Sequence, residues 1–308
     1  MSKTVAAVVV TYNRKDLLLE NIEALLHQTA AGGLSVVIID NNSTDGTAEA
    51  LESYIARGDI HYHNTGANLG GAGGFQYGID YAAQLGFDFI WIMDDDCIPH
   101  PDALEAFLKW DETLGGNYGF LNSKVLWTDG SLCKMNIPRR TLTHKTQAFE
   151  GEPTPLFFAS FVSLFVPTRV IRDVGLPIKE FFIWTDDWEY SRRISRKYPC
   201  YYVPDSVVTH KCKTNIGVNI ATDLPERLER YYYLYRNEFY LYRREGMRGI
   251  AYDIIRKIGH ILRIFRKSPD HRLERIKYIF VGTAAGFRFH PPVRYVPMNP
   301  VPGKEADE

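Results

Sequence analysis

The sequence predicts an α/β fold built on a largely parallel sheet, with a helical segment after it. Three observations carry this. Short apolar runs, Val5–Val10, Val36–Ile39 and Phe89–Met93, each end in a polar loop, as buried strands do. Apolar residues at helical spacing separate the runs, so strand and helix alternate as in parallel sheets. From Pro225 on, the chain turns to helical periods rich in Tyr, Ile and Arg.

In order, Val5–Val10 is a strand and Thr11-Tyr12-Asn13-Arg14 the loop beyond it. Leu17, Leu18, Ile22, Leu25 and Leu26 mark a helix that Gly32-Gly33 ends. Val36–Ile39 is the next strand, closing on Asp40 and the capping-rich Asn41 to Thr47. A helix through Leu51 and Ile55 and a strand at Ile60–His63 follow. Ligands of such sheets sit beyond the carboxyl ends of the strands, where Asn13, Asp40 and Asp94–Asp96 fall.

Asn68 to Phe75 holds four glycines in five positions, at 70, 71, 73 and 74. It reads either as a tight turn or as backbone open to a ligand, with the next helix aimed at an anion. The glycine spacing is not the dinucleotide fingerprint. Phe89–Met93 ends in Asp94, Asp95 and Asp96. Adjacent anions at a buried strand end repel and lose solvation, so the stretch is either a solvated turn or a seat for a hard divalent cation.

A helix over Asp102–Trp110 and strands at Phe120–Trp127 and Phe157–Val166 are expected, with Pro138-Arg139-Arg140 in a loop between. At Phe181–Tyr190, Asp186 and Asp187 stand among aromatics before a helix with a basic face. They serve either as helix caps or as a general base whose aromatic pocket raises its pKa. Short strands at Tyr201–Val203 and Val207–Val208 precede His210. Helices are expected over Arg227–Arg244, Arg248–Lys267 and His271–Phe289. The resulting division is 1–224 catalytic, 225–290 helical and basic, and 291–308 an extended or disordered tail.

The 308 residues, 45% hydrophobic and 24% charged, have room for one large domain with an appendage, or for two. The net charge of -1 conceals -8 over residues 1–242 and +9 over 243–294, an asymmetry that points to an anionic surface as partner. Basic amphipathic helices suit a membrane surface; the other reading buries their apolar face on the core or a second subunit. No run of 18 apolar residues occurs, so no spanning helix is expected. Val5–Val10 is too short, and too soon followed by charge, for a signal peptide. Cys97, Cys133, Cys200 and Cys212 form no CxxC pair and read as reduced cytoplasmic thiols. His210 lies two residues before Cys212, too few ligands by spacing for zinc.

The motif set resembles inverting family 2 glycosyltransferases of GT-A fold. Val9 to Arg14 resembles their nucleotide loop, Asp40 to Asp45 their base-holding segment, and Asp94-Asp95-Asp96 their DxD metal motif. Asn68–Phe75, Asp186–Tyr190, His210 and Tyr232–Asn237 together resemble the galactofuranosyltransferase branch, though rhamnosyltransferases share the aromatic-Arg-Asn segment. The resemblance implies Mn²⁺ or Mg²⁺ on Asp94, Asp96 and His210, and catalysis at Asp187 with Asp186 beside it. It implies donor contacts from Thr11, Asn13, Arg14, Asp40, Asn42, Asn68, Gly70, Gly71, Gly74, Asp94 and Asp95. Acceptor contacts are implied for Trp184, Trp188, Glu189, Arg236 and Asn237.

The implied donor is UDP-galactofuranose, with dTDP-rhamnose the alternative. The implied acceptor is a hydroxyl of a polysaccharide or lipid-linked glycan in bacterial-type surface glycan synthesis. No nucleic-acid partner is expected. The enzyme would be cytoplasmic, at the inner face of the membrane, alone or as a homo-oligomer. A nucleotidyltransferase would want a glycine-rich basic loop near the N-terminus, which residues 10–16 lack. The intact Asp186-Asp187 pair argues against a catalytically silent carbohydrate-binding module.

Overall fold

In the computed structural model, which describes residues 3–297, every residue of the first strand is buried. β1 (Val5–Thr11) turns Val5, Ala7 and Val9 to one face of the sheet and Ala6, Val8 and Val10 to the other. Both faces are covered, so an alternating polar side would have cost free energy and the run is apolar throughout. After α1 (Lys15–Leu26), β2 (Leu34–Asp40) pairs parallel with β1. α2 (Thr47–Arg57) leads to β3 (Ile60–Asn64), parallel on β2. α3 (Gly70–Gln84) crosses back, and β4 (Phe89–Asp94) pairs parallel on the other side of β1. Thr11, Asp40 and Asp94 thereby finish at one edge of the sheet.

The second half adds β5 (Cys97–Pro99), α4 (Ala103–Thr113), β6 (Leu121–Trp127), β7 (Thr154–Pro155) and β8 (Leu164–Pro167). α5 (Thr168–Val174), α6 (Asp186–Ser195) and β9 (Tyr201–His210) follow. The strand order is β3-β2-β1-β4-β8-β6-β9-β5, with β7 beside β9. β8 runs antiparallel to β4, and β6 parallel to β9. Helices α1, α2 and α4 cover one face, and α3, α5 and α6 the other.

Two expected elements differ. Of Phe157–Val166 only Leu164–Val166 is strand. Phe157 and Phe158 instead bond to Arg139 of the preceding loop, through Phe157 N–H to Arg139 O (2.7 Å) and Arg139 N–H to Phe158 O (2.9 Å). Apolarity there reports burial, not extension. The two short strands around 201–208 are one, with a register shift opposite Ser123 and Lys124.

The three C-terminal helices form as expected: α7 (Arg230–Arg243), α8 (Gly246–Lys267) and α9 (Arg272–Arg288). Leu228, Tyr231, Leu234 and Tyr235 pack with Ile264 and Ile279 in a core of their own, which Trp184 joins from the α/β layer. Residues 291–297 carry no helix or strand but are anchored. Leu176 N–H donates to Arg294 O (2.7 Å), and Val296 is buried beside α5. The rest of the tail expected to be extended or disordered, 298–308, lies outside the described residues. Among the described residues, no helix is long and apolar enough to cross a membrane.

Candidate functional site

β4 ends in Asp94, and the chain turns through Asp95 and Asp96 into β5. Two cations meet the turn. Arg14, from the loop after β1, places Nη1 2.5 Å from Asp96 Oδ2 and 3.3 Å from Asp95 Oδ1. His210, the last residue of β9, is brought in by register, because β5 pairs antiparallel with β9 and sets Cys97 opposite His210. Its Nε2 stands 3.1 Å from Asp96 Oδ1. Thr11 Oγ1 donates to Asp95 Oδ2 (2.8 Å).

The charges remain unbalanced. Burial, then repulsion from Asp96, pushes Asp94 up to about 6. Burial pushes Asp95 up to about 7 in spite of Arg14. Burial would also raise Asp96, but His210 and Arg14 override it and hold that carboxyl below its ordinary value. Burial works against a charged His210, yet its bonds to Asp96 and nearby thiols push it up to about 12.

This set fits a divalent ion. Ligand atoms of Asp94, Asp96 and His210 all lie within 4.8 Å of one another. Asp96 Oδ1 is buried, with His210 Nε2 3.1 Å away. Carboxylate oxygens with one imidazole suit Mn²⁺ or Mg²⁺. An ion there would reverse the local logic and favour ionised carboxylates.

The loops expected to hold the donor are cross-tied. Asn13 N–H donates to Ser43 Oγ (2.8 Å), and Asn13 Oδ1 accepts from Thr44 N–H (2.7 Å). Asn13 and Asn42 both take left-handed backbone, at φ 53° and 65°, as Asn tolerates. Asp40 spends both oxygens on its surroundings, accepting from Ser43 N–H and from the Tyr62 hydroxyl, each at 2.8 Å. It therefore organises the loop that exposes Asn42.

The glycine stretch is not a ligand loop but the start of α3. Asn68 Oδ1 accepts from Gly70 N–H (2.9 Å). Gly70 sits at φ +71°, where any Cβ would collide with the Phe182 carbonyl. Gly74 lies against β1, its missing Cβ replaced by Val10, so it serves packing and not the donor. Gly71 alone faces open space. The helix N-terminus does not wait for an anion either, because Ala72 N–H donates to Phe182 O (3.2 Å).

Phe182 opens a strained segment. Phe182, Trp184 and Thr185 all have positive φ, of 63°, 64° and 72°; such strain persists only where surroundings impose it. Asn237, fully buried on α7, imposes it by donating from Nδ2 to the carbonyls of Phe181 (3.0 Å), Ile183 (3.2 Å) and Trp184 (2.9 Å). Arg236 Nη2 adds a bond to Phe181 O (3.3 Å). Asn237 thus cannot touch an acceptor, contrary to expectation. Nor can Glu189, buried and paired with Arg193 at 2.6 Å. Trp184 and Trp188 remain half-exposed, Trp188 stacked on Phe158 and covered by Arg139, whose Cζ stands 4.4 Å from the ring centre.

The segment delivers Asp186 and Asp187 to the start of α6. Asp187 Oδ1 accepts from the Trp188 N–H (2.7 Å). Burial, with help from Asp94, pushes Asp186 up to about 7, and burial together with Asp186 raises Asp187 well above its ordinary value. Asp94 thus contributes to the rise of both carboxyls. Sequence reasoning missed Cys133 and Asn136, which stand behind His210: Asn136 Oδ1 is 2.8 Å from His210 Nδ1. The His-x-Cys spacing at 210–212 was the only signal, and it lacked the partner from 133.

Residues 6–120 match the family described as "Glycosyl transferase family 2". The chain is 25% identical over 310 residues to galactofuranosyltransferase GlfT1 of Mycolicibacterium smegmatis, covering 93% of this chain and 99% of the relative. Among solved structures it resembles mannosyltransferase PcManGT from Pyrobaculum calidifontis in complex with GDP-Man and Mn²⁺, with a TM-score of 0.57 and 17% identity over 93% of this chain and 76% of that one. It also resembles S. aureus TarS 1-349 in complex with UDP, with a TM-score of 0.54 and 13% identity over 93% of this chain and 72% of that one. These two likenesses speak to the fold.

Asn237→Ala would take the side-chain donor from the Ile183 and Trp184 carbonyls and one of several donors from that of Phe181. It should lower stability by about 1–3 kcal/mol, read by urea unfolding. A loss below about 0.5 kcal/mol would show that the loop holds its shape unaided.

Proposed function

From the premise that this chain is a family 2 glycosyltransferase with the GT-A fold, resembling the galactofuranosyltransferases, we propose that it transfers galactofuranose from UDP-galactofuranose with inversion. The acceptor would be a hydroxyl of a polysaccharide or lipid-linked glycan. The observation that carries the reading is the Asp94–Asp96–His210 ligand set, joined by a buried Asp187 whose carboxyl is raised by burial and by its acidic neighbours. The near full-length likeness to a galactofuranosyltransferase favours that donor over dTDP-rhamnose.

In this mechanism Asp94, Asp96 and His210 hold Mn²⁺ or Mg²⁺, which when bound screens charge on the diphosphate. Asn13, Arg14 and Asn42 line the donor side, and Trp184 and Trp188 the acceptor side. Asp187 takes the proton of the acceptor hydroxyl as that oxygen attacks the anomeric carbon, and UDP leaves from the opposite face. A raised pKa suits this task, since a base poised near neutrality accepts a proton more readily in the transition state. Asp186 keeps the pair's titration high.

The C-terminal helices support attachment to an anionic membrane. On α8, Ile254, Ile255, Ile258, Leu262 and Phe265 are exposed, and on α9 Leu273, Phe280, Val281 and Phe287. This face is not buried on the core, one half of the other reading of the sequence; the remaining half, burial against a second subunit, is what flotation separates from membrane attachment. The charge is smaller than composition implied. Arg256 pairs with Glu238 (2.7 Å), Lys257 with Asp253 (2.5 Å), and Arg275 is buried on backbone carbonyls. Arg248, Arg263, Arg266, Lys267, Arg272, Lys277 and Arg288 remain exposed beside the apolar residues.

Four experiments test the proposal. Asp187→Asn should cut turnover by about 10²-fold or more with donor affinity little changed. In the wild type the acid limb of kcat should lie well above the ordinary Asp range, because a base with a raised pKa is protonated, hence idle, below that pKa; an acid limb near pH 4, about the ordinary Asp value, would remove Asp187 from the role. With Mn²⁺ and a panel of nucleotide sugars, UDP should be released from UDP-galactofuranose and EDTA should stop it. Release of dTDP from dTDP-rhamnose alone would overturn the donor, and full activity under thorough chelation the metal. In vesicle flotation the protein should rise with anionic vesicles at low salt, with each basic residue near the surface worth about 1 kcal/mol, and come off at high salt. A protein that stays down has no membrane face.

A further inference from the structure

His210 presents its second nitrogen to a different set of ligands. Cys133, from the loop after β6, and Cys212, just past β9, bring their Sγ atoms to 4.0 Å. Cys133 Sγ is 3.7 Å from His210 Nδ1. Ligand atoms of the three residues all lie within 4.8 Å of one another. With Zn–S near 2.3 Å and Zn–N near 2.0–2.1 Å, a tetrahedral ion needs S···S of about 3.8 Å and S···N of about 3.6 Å. The two measured separations differ from these by only a few tenths of an ångström.

The backbone of both cysteines is fixed. Cys133 N–H donates to Val125 O (2.9 Å). Cys212 O accepts from the Trp127 indole (2.9 Å). Asn215 ties the two loops together through Lys134 N–H (2.7 Å) and Leu132 O (3.0 Å). Asn136 Oδ1 stands 3.0 Å from Cys133 Sγ and 2.8 Å from His210 Nδ1. There it accepts hydrogen bonds from the thiol and the ring N–H, whose protons pass to solvent when a metal binds, and its carboxamide oxygen is in place as a fourth donor.

We propose that Cys133, Cys212 and His210 Nδ1 form a second metal site, for a thiophilic ion of the Zn²⁺ class, back to back with the Asp94–Asp96 site. Thiolate donors select such an ion against Mn²⁺ or Mg²⁺, so the two sites sort their ions by donor chemistry. One imidazole would face both, Nε2 toward Asp96 and Nδ1 toward the thiolates; with both ions bound it would bridge them as the imidazolate, its ring N–H proton passing to solvent. Occupancy of the soft site would fix the ring's plane for the hard one.

The test does not depend on glycosyl transfer. The full chain, purified under reducing conditions, is dialysed and its zinc counted by mass spectrometry; Co²⁺ is then titrated into metal-free protein. About one zinc per chain and a thiolate-to-cobalt charge-transfer band with tetrahedral visible bands are expected. Cys212→Ser, at a half-exposed position, should fold normally and weaken zinc binding by at least the roughly 10–100-fold that even an outer partner is worth. Cys133→Ser should do the same. Asp96→Ala should keep the zinc while losing Mn²⁺, followed by electron paramagnetic resonance. Absence of the charge-transfer band in the wild type, or zinc equal to the wild type's in both serine variants, would overturn the proposal. So would a Cys133–Cys212 disulfide in the reduced preparation.

Discussion

Three carboxylates at the end of a buried strand cannot stand together without positive charge, and the site is arranged around that requirement. Asp94 and Asp95 are driven toward their neutral forms, while Asp96 stays ionised only because Arg14 and His210 face it. The two cations arrive by separate routes. Arg14 follows β1, the immediate neighbour of β4. His210 comes from a strand more than a hundred residues later, carried in when β5 folds back against β9. A divalent ion would join a pocket already biased toward cations, and Arg14 would then be free to follow donor phosphate charge.

A second constraint is conformational. The segment 182–185 holds three non-glycine residues in left-handed backbone just before the candidate base. Asn237 on α7 holds the carbonyls of Ile183 and Trp184 and, together with Arg236, that of Phe181 just before them, while the Phe182 carbonyl caps the start of α3. Gly70 is required because the cap approaches so closely. The C-terminal helices are therefore tied into the scaffold of the candidate site. α7 holds the loop that precedes Asp187, while the outer face of α8 and α9 remains apolar and basic. A surface bound there would lie only one helix layer from the residues that shape the site.

Much of the architecture was legible in the chain. The βαβ opening, the carboxylate turn, the Asp186-Asp187 pair and the three terminal helices follow from periodicity and residue type, because these are local properties that burial stamps on a sequence. Strand identity at Phe157–Val166 was not legible, since an apolar aromatic run signals burial without choosing extended backbone. The glycines at 70–74 read as a ligand loop because close approach to a ligand and close approach to a strand demand the same missing side chain. The assignments of Asn237 and Glu189 to an acceptor failed for a related reason: motif residues near a site are as often its scaffold as its lining.

By itself the sequence determined that acidic groups gather at the carboxyl edge of a parallel sheet, and that a basic helical segment follows. Tertiary structure alone decided their partners. Which cation meets which carboxylate depends on strand order and register, properties of pairs of segments that no single segment encodes. The same holds for Cys133, remote from His210 and Cys212 in the chain yet within 4 Å of both, by 3.7 and 4.0 Å. Spacing along the chain measures local geometry only; a site assembled across β6 and β9 becomes visible when their pairing brings its halves together.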